Sequence, residues 1–294
     1  MVLCLSYPAP ALDHPHLTRG ILLATLATAC FASLDTTSQF VGKAVPVFMA
    51  VWLRFTVQTL MTVVLLWPQK RSRLFKTQAP GWQALRGTLM VTSGVVAFIS
   101  LRHVPVGEFT AVLMLTPLVI TLLASFLLRE KVSALAWLLV AGGMLGALIV
   151  VYPKDGELHL GLLLPLLLVL VNAAYQVVTS KMVRTEDPGT MHFYTGLTGL
   201  TLGTVLLPWT WEPLAEPRLW FLVGLLGVFG SLGHYLLIRA YGFAPASKVT
   251  PFLYAQIAFA TLLGALVFGY IPDAWTWGGI ALIVVCAWLG TRTK

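Results

Sequence analysis

The chain has 294 residues, of which 58% are hydrophobic and 10% are charged, and its formal net charge at pH 7 is +8. About 25% charged residues are typical of soluble domains, so this composition excludes a large soluble domain and predicts a helical membrane protein. We expect the excess positive charge to face anionic lipid of the bilayer and not nucleic acid.

The chain starts with a proline-containing segment, residues 1–18, which lacks the basic start of a signal peptide and is interpreted as a cytoplasmic tail. Ten apolar segments follow, each close to the roughly 20 helical residues that cross a bilayer. Because the connections are short, consecutive helices are expected to pack as antiparallel neighbours. The predicted spans are 20–41, 45–67, 83–101, 106–128, 133–151, 161–179, 191–211, 219–238, 244–268 and 275–289.

Lys and Arg residues are distributed unevenly over the predicted connections. With the N-terminus inside, the inner segments, which include Arg86, hold 13 of the 19 basic residues, and the outer segments hold four. The positive-inside rule therefore predicts a multi-pass protein of the cell inner membrane with both termini in the cytoplasm.

The two halves of the sequence resemble each other. Residues 105–151 align with residues 245–291 without a gap, and the pairs include Trp137 with Trp277. Each half holds five spans, so the second half enters the membrane in the opposite orientation. We predict an all-α membrane protein whose ten transmembrane helices form two inverted five-helix repeats, residues 19–151 and 160–291. Such repeats are typical of alternating-access carriers, with a duplication of no mechanistic meaning as the alternative.

Charged residues inside the predicted spans are candidate functional groups, because charges in a bilayer usually face a cavity or a partner. Asp35 in span one and Arg54 in span two form a plausible ion pair within a helical hairpin. The pair would serve either the structure or a substrate or proton site. Glu108 and Lys248 occupy equivalent repeat positions with opposite charge. They are candidates for gating or coupling, and snorkelling to water is the alternative.

Uncharged polar residues add further candidates. Asn172, Tyr175 and Gln176 share one face of span six, and a polar stripe in lipid turns to a cavity or to a neighbouring helix. Tyr254 and Gln256 follow the break expected at Pro251, where freed carbonyl groups can face a cavity. The substrate-binding candidates are Asp35, Gln39, Arg54, Asn172, Tyr175, Gln176, His234, Tyr254 and Gln256.

Other chemistries find little support in the sequence. The six His and three Cys residues have no metal-binding spacing, and there is no P-loop. We therefore expect no metal, no cofactor and no direct use of ATP. A membrane-embedded enzyme and a non-catalytic subunit or sensor are the alternatives to a carrier.

Five short motifs occur in a specific order: Trp-Leu-Arg at 52–54, Leu-Arg-Gly at 85–87, Leu-Leu-Arg-Glu at 127–130, Ile-Arg-Ala-Tyr at 238–241 and Ala-Pro-Ala-Ser at 244–247. With them the whole chain resembles the EamA-type ten-helix carriers of the drug/metabolite transporter superfamily. In one departure, Tyr270 stands where the second half usually repeats the acidic residue found here as Glu130.

The resemblance implies a secondary transporter, working as a monomer or homodimer, that moves a small polar organic metabolite by alternating access. The chain is similar to S-adenosylmethionine uptake carriers and riboflavin carriers. It is also similar to exporters of amino acids, metallophores or drugs, so the substrate and the direction of transport stay open.

Overall fold

The computed structural model describes residues 14–42, 44–103, 109, 112–128, 132–151, 163–214, 216–269 and 274–292. These residues form helices and no β-strand. In chain order the helices are α1 (His14–Val41), α2 (Val47–Lys70), α3 (Pro80–His103), α4 (Thr116–Leu127), α5 (Ala134–Val151), α6 (Leu163–Met182), α7 (Pro188–Thr210), α8 (Pro217–Phe243), α9 (Ala246–Val249), α10 (Ala255–Phe268) and α11 (Ala274–Arg292).

The length and composition of the helices suit a bilayer. Among the described residues, five helical segments are long and apolar enough to cross it: His16–Ser38, Val47–Phe75, Leu163–Met182, Pro217–Phe243 and Ala246–Val267. The prediction of an all-helical membrane protein is confirmed. Helix α1 begins at His14, so the end of the predicted tail is helical, while residues 1–13 lie outside the described part.

The predicted break in the ninth segment is present. Helix α9 is followed by a 3₁₀ turn, Thr250–Tyr254, before α10 begins. Pro251 lacks the N–H group that a continuous α-helix needs at this point, so the chain tightens locally instead. Helix α10 then ends at Gly269, whose φ of 69° lies in the left-handed region that favours glycine.

The main helix contacts join the two halves of the chain. Helix α1 packs along α8, α2 along α7, α3 along α6, and α5 along α11. Consecutive helices touch less, and α1 and α2 share no extensive contact. The prediction that consecutive helices pack as antiparallel neighbours fails for α1 and α2, whereas α2 and α3, α7 and α8, and α10 and α11 do touch. A short connection holds two helix ends together, whereas the helix faces pack where their side chains fit.

The contacts are the same when each helix of the first half is replaced by the corresponding helix of the second half, and the reverse. The pair α1 and α8 corresponds to α6 and α3, and the pair α1 and α10 corresponds to α6 and α4. The pairs α2–α7 and α5–α11 correspond to themselves. Two repeated halves with matching helix contacts produce this pattern.

Two large apolar clusters lie toward opposite ends of α1. One contains Ile21 and Ala24, together with residues of α6, α8 and α9. The other contains Leu34 and Val41, together with residues of α2 and α8. Polar side chains from both halves meet at a cavity in the interior of the bundle.

Candidate functional site

A cavity in the interior of the bundle, here called the central cavity, is formed by helices of both halves. About 890 Å³ of empty space lies in and in front of it, a volume that includes open solvent. Its wall comes from α1, α2, α3, the start of α4, α6, α8 and the region where α10 begins. The wall contains six of the predicted substrate-binding residues: Asp35, Arg54, Asn172, Gln176, His234 and Gln256.

Two other predicted residues lie next to the wall. The ring of Tyr175 packs edge-on against His234, with the ring centroids 5.9 Å apart. Tyr254 is fully buried against Gly143, where an added Cβ atom would lie 2.5 Å from the Tyr254 ring. These positions give both tyrosines a packing role beside the cavity.

Three predicted residues remain. The side chain of Gln39 and the whole of Glu108 lie outside the described residues. Lys248 is a partly buried residue of α9. The predicted role of Glu108 and Lys248 in gating or coupling therefore stays a prediction.

Asp35 is held by an amide of the second half of the chain. Its Oδ2 atom accepts a hydrogen bond from Gln256 Nε2 at 2.7 Å. The predicted ion pair between Asp35 and Arg54 is not formed. Within the described part of the chain, the one pair of opposite charges within ion-pair distance is Lys70 and Asp187. The physical reason is the helix packing, which lays α1 along α8 and α10 and not along α2.

Arg54 also contacts the second half. Its Nη2 atom lies 3.1 Å from His234 Nε2. Because a guanidinium group can only donate, Nε2 is the acceptor, and this assigns the His234 proton to Nδ1. Gly230 makes room for the guanidinium, since a Cβ atom there would lie 2.8 Å from Arg54 Nε.

A fixed row of amide and hydroxyl groups occupies another part of the wall. Tyr241 Oη donates to Gln176 Oε1 at 2.5 Å, and Gln176 Nε2 donates to Asn172 Oδ1 at 2.7 Å. This row orients the two amides that the helical spacing of span six indicated, and it joins α6 to α8.

Arg86 is a buried residue that the sequence analysis did not single out. It was counted among the charges of the inner segments, but it lies in the second turn of α3 with no exposed surface. Its Nη1 atom donates to Tyr175 Oη at 3.1 Å, and Nη2 donates to the carbonyl oxygen of Met191. Both acceptors belong to the second half, so no local sequence signal marks this burial.

Contacts at the predicted inner end join the α2–α3 connection to the α6–α7 connection. The Glu186 carboxylate accepts hydrogen bonds from Thr77 Oγ1 at 2.8 Å, Gln78 N at 2.8 Å and Gln83 Nε2 at 3.2 Å. The neighbouring residue, Asp187, pairs with Lys70. We call Lys70, Thr77, Gln78, Gln83, Glu186 and Asp187 the linker cluster. The sequence analysis predicted only a lipid contact for this basic connection.

Asp187 has a second role as the N-cap of α7. Its Oδ1 atom accepts from the backbone N–H groups of Gly189 at 2.9 Å and Thr190 at 3.0 Å. Partial burial alone would raise the pKa of Asp187. The hydrogen bonds from Lys70, Thr190 and Gly189 outweigh burial and hold that pKa below its ordinary value.

The other end of the α2–α7 pair is joined by aromatic contacts. Trp52 Nε1 donates to Thr204 Oγ1 at 2.9 Å, and the rings of Trp52 and Trp211 meet edge-on at 6.2 Å. Gly203 allows the close approach of Trp52. The two ends of the bundle are thus joined by different chemistry, ionic at one and aromatic at the other.

The described part of the chain contains no candidate metal-binding site. There, no three His, Cys, Asp or Glu side chains are close enough to hold an ion. What the central cavity offers is a cation, a carboxylate, amides and apolar surface, which suit binding of a small polar molecule.

A helical membrane bundle with two matching halves and a polar interior cavity is the architecture of a membrane transporter. The profile of the EamA-like transporter family matches residues 18–152 and again residues 159–291, and the chain belongs to this family. It is a multi-pass membrane protein with two copies of the family's domain.

Similar proteins have several substrates. A riboflavin transporter of Vibrio cholerae is 29% identical, with 92% of each chain covered. The pseudopaline exporter CntI of Pseudomonas aeruginosa is 28% identical, with 95% of this chain and 98% of the exporter covered. An S-adenosylmethionine uptake transporter of Rickettsia prowazekii is 24% identical over 90% of each chain. The predicted resemblance to riboflavin and S-adenosylmethionine carriers is confirmed.

The fold also matches a solved structure. A protein of known crystal structure superimposes with a TM-score of 0.76 at 20% identity, covering 95% of this chain and 98% of that one. At this identity the match shows a shared fold.

Proposed function

We propose that the protein is a secondary transporter that moves a small polar organic metabolite across the bacterial inner membrane by alternating access. The observation that carries the proposal is the central cavity, whose polar wall is built by helices of both halves. A site between two repeats can be exposed to either side of the membrane when the repeats move against each other.

The proposal includes the organisation of the chain. Residues 1–18 are a cytoplasmic tail, and residues 19–151 and 160–291 are inverted five-helix repeats with ten transmembrane helices in all. The two family matches, at 18–152 and 159–291, and the contacts that repeat on exchange of the halves support this organisation. The uneven distribution of Lys and Arg supports cytoplasmic termini.

Uptake of an amino-acid derivative, S-adenosylmethionine or a riboflavin-like compound is the leading form of the proposal, because relatives are named for such activities. Export is the second candidate, and the relative named as a pseudopaline exporter favours it. A membrane-embedded enzyme is less favoured. The hydrogen-bonded pair of His192 and Ser231, 3.0 Å apart, lies outside the cavity wall.

Counterflow in liposomes tests the proposal. Purified protein is reconstituted, and uptake of labelled S-adenosylmethionine and labelled riboflavin is measured with and without the unlabelled compound trapped inside. Saturable uptake that rises with the trapped compound is the expected result, because a carrier exchanges substrate across the membrane. Folded protein that exchanges no compound related to those of its relatives would contradict the proposal.

A further inference from the structure

Arg54 is a buried cation that has no carboxylate within ion-pair distance among the described residues. Its side chain is 7% exposed, its Nη2 atom rests on the neutral ring of His234, and its Nε atom has no hydrogen-bond partner among the described residues. A buried charge is costly unless it is paired and hydrogen-bonded. An anion bound next to this guanidinium group would therefore lower the free-energy cost of burying its charge.

The surroundings of Arg54 suit the binding of such an anion. Two glycines flank the guanidinium: an added Cβ atom would lie 2.8 Å from it at Gly230 and 3.9 Å from it at Gly94. A carboxylate can accept two parallel N–H bonds from arginine, which a histidine nitrogen cannot.

Asp35 carries a negative charge and lies in the wall of the same cavity as the positively charged Arg54. Its carboxylate has one described partner, the neutral amide of Gln256, and no described cation lies within ion-pair distance. Phe31 and Phe109 also belong to the wall, and aromatic faces attract cations. The Asp35 carboxylate in this wall is suited to an ammonium or a sulfonium group.

The two charges lie in one wall but do not pair. A ligand that carries both charges satisfies each of them. We propose that the transported molecule is a zwitterion of the amino-acid type, whose carboxylate binds Arg54 and whose cationic group binds Asp35. This inference rests on the proposed carrier function and names the substrate class of the same cavity.

The arrangement also connects binding to movement. Arg54 and Asp35 belong to the first half of the chain, while their present partners His234 and Gln256 belong to the second half. A zwitterion that takes over both charges competes with two bridges between the halves. Substrate binding thereby loosens contacts that hold the halves in one arrangement, as a carrier requires.

The test compares S-adenosylmethionine with two probes in counterflow and in thermal stabilisation of the purified protein. Decarboxylated S-adenosylmethionine keeps the cationic groups but lacks the carboxylate, and riboflavin lacks both charges. We expect S-adenosylmethionine to bind about 10- to 100-fold more tightly than the decarboxylated compound, because the latter leaves Arg54 unpaired.

Three variants test the residue assignment. Arg54→Gln is expected to remove most of the preference for the carboxylate-bearing compound, and Arg54→Lys to keep part of it. Asp35→Asn is expected to weaken S-adenosylmethionine and its decarboxylated form alike. Arg73→Gln, which removes an exposed charge outside the cavity, is the matched control. The preference of the unaltered protein is measured in any case, so a variant that fails to fold does not leave the proposal without a test.

The outcomes separate this inference from the carrier function. Exchange of riboflavin at least as good as that of S-adenosylmethionine, unchanged by Arg54→Gln, would overturn the zwitterion assignment while the carrier function stands. Equal binding of S-adenosylmethionine and its decarboxylated form would overturn the role of Arg54. Folded protein that neither exchanges nor is stabilised by any of the compounds would overturn the carrier function, and the zwitterion assignment with it.

Discussion

Two buried arginines of this protein are in opposite situations. The guanidinium of Arg86 is hydrogen-bonded to Tyr175 and to the carbonyl of Met191, and the described bonds hold it in place. Arg54 has one described hydrogen bond, to His234, and lies in the cavity wall. The Nε atom of each arginine has no hydrogen-bond partner among the described residues. The number of acceptors around each guanidinium therefore separates a structural arginine from a binding candidate.

Replacing Arg86 tests its structural role. Arg86→Met leaves the Tyr175 hydroxyl and the Met191 carbonyl without their donor, so we expect the free energy of unfolding to fall by about 1–3 kcal/mol. The measurement is thermal unfolding in detergent. Arg73→Met, at an exposed position, is the control and is expected to have little effect. Equal unfolding temperatures of the two variants would contradict the prediction.

Asp187 gives a prediction about pH. Because its pKa is lowered in the folded protein, the stability that it contributes is present above the unfolded pKa, about 3.9, and is lost as the pH falls through the folded value. We expect Asp187→Asn to lower the unfolding temperature near pH 7, with a difference from the original protein that shrinks below about pH 4.

The control for this experiment is Asp187→Ala. Asparagine is still a good N-cap, whereas alanine also loses the bonds to Gly189 and Thr190. Alanine is therefore expected to destabilise more than asparagine at every pH. A difference between Asp187→Asn and the original protein that does not depend on pH would contradict the prediction.

At the scale of elements, small residues decide which helices pack together. Helix α7 presents Gly199 to Phe55 and Gly203 to Trp52 of α2. The sequence analysis did not foresee that α2 and α7 would be partners, because a glycine indicates that a close approach is possible and does not indicate the neighbour.

Adding one methyl group to α7 tests this packing. The Cβ atom of Gly199→Ala would lie 2.2 Å from the Phe55 ring, so one of the helices must shift. We expect the free energy of unfolding to fall by about 1–3 kcal/mol. Gly224→Ala is the matched control, because nothing lies within 4 Å of its Cβ position. Thermal unfolding of both variants in detergent checks the prediction, and an equal loss for both would contradict it.

At the scale of the whole molecule, the two ends of the bundle are joined by different contacts. The linker cluster joins the halves at the predicted inner end through Glu186 and Asp187, whereas Trp52 and Thr204 meet at the other end of α2 and α7. Alternating access requires the halves to separate at each end in turn.

Cross-linking tests whether the predicted inner end must open. In a background without Cys4, Cys30 and Cys286, the pair Thr77→Cys and Glu186→Cys is joined by a short thiol cross-linker. We expect substrate exchange to fall to the level of empty liposomes and to return when a cleavable linker is cut, because the joined connections cannot separate. The uncross-linked double variant and each single variant treated with the reagent are the controls. Full exchange in cross-linked protein would contradict the prediction.

The sequence by itself determined the class of the protein and the place of its apolar segments. Hydrophobic stretches of bilayer length and the break at Pro251 are local properties, because each depends on residues within one or two helical turns. The spacing of Asn172 and Gln176 on one helical face likewise predicted two residues of the cavity wall.

The tertiary structure alone decided how the polar residues are paired. Asp35 meets Gln256 across 221 residues, Arg54 meets His234 across 180, and Arg86 reaches a carbonyl group 105 residues away. These partners follow from which helix faces fit together, and the fit depends on glycine positions and side-chain shapes in both halves at once. A local sequence pattern does not indicate which distant residue will be its neighbour. The structure therefore contains the Asp35–Gln256 and Arg54–His234 contacts between the halves in place of the expected Asp35–Arg54 pair.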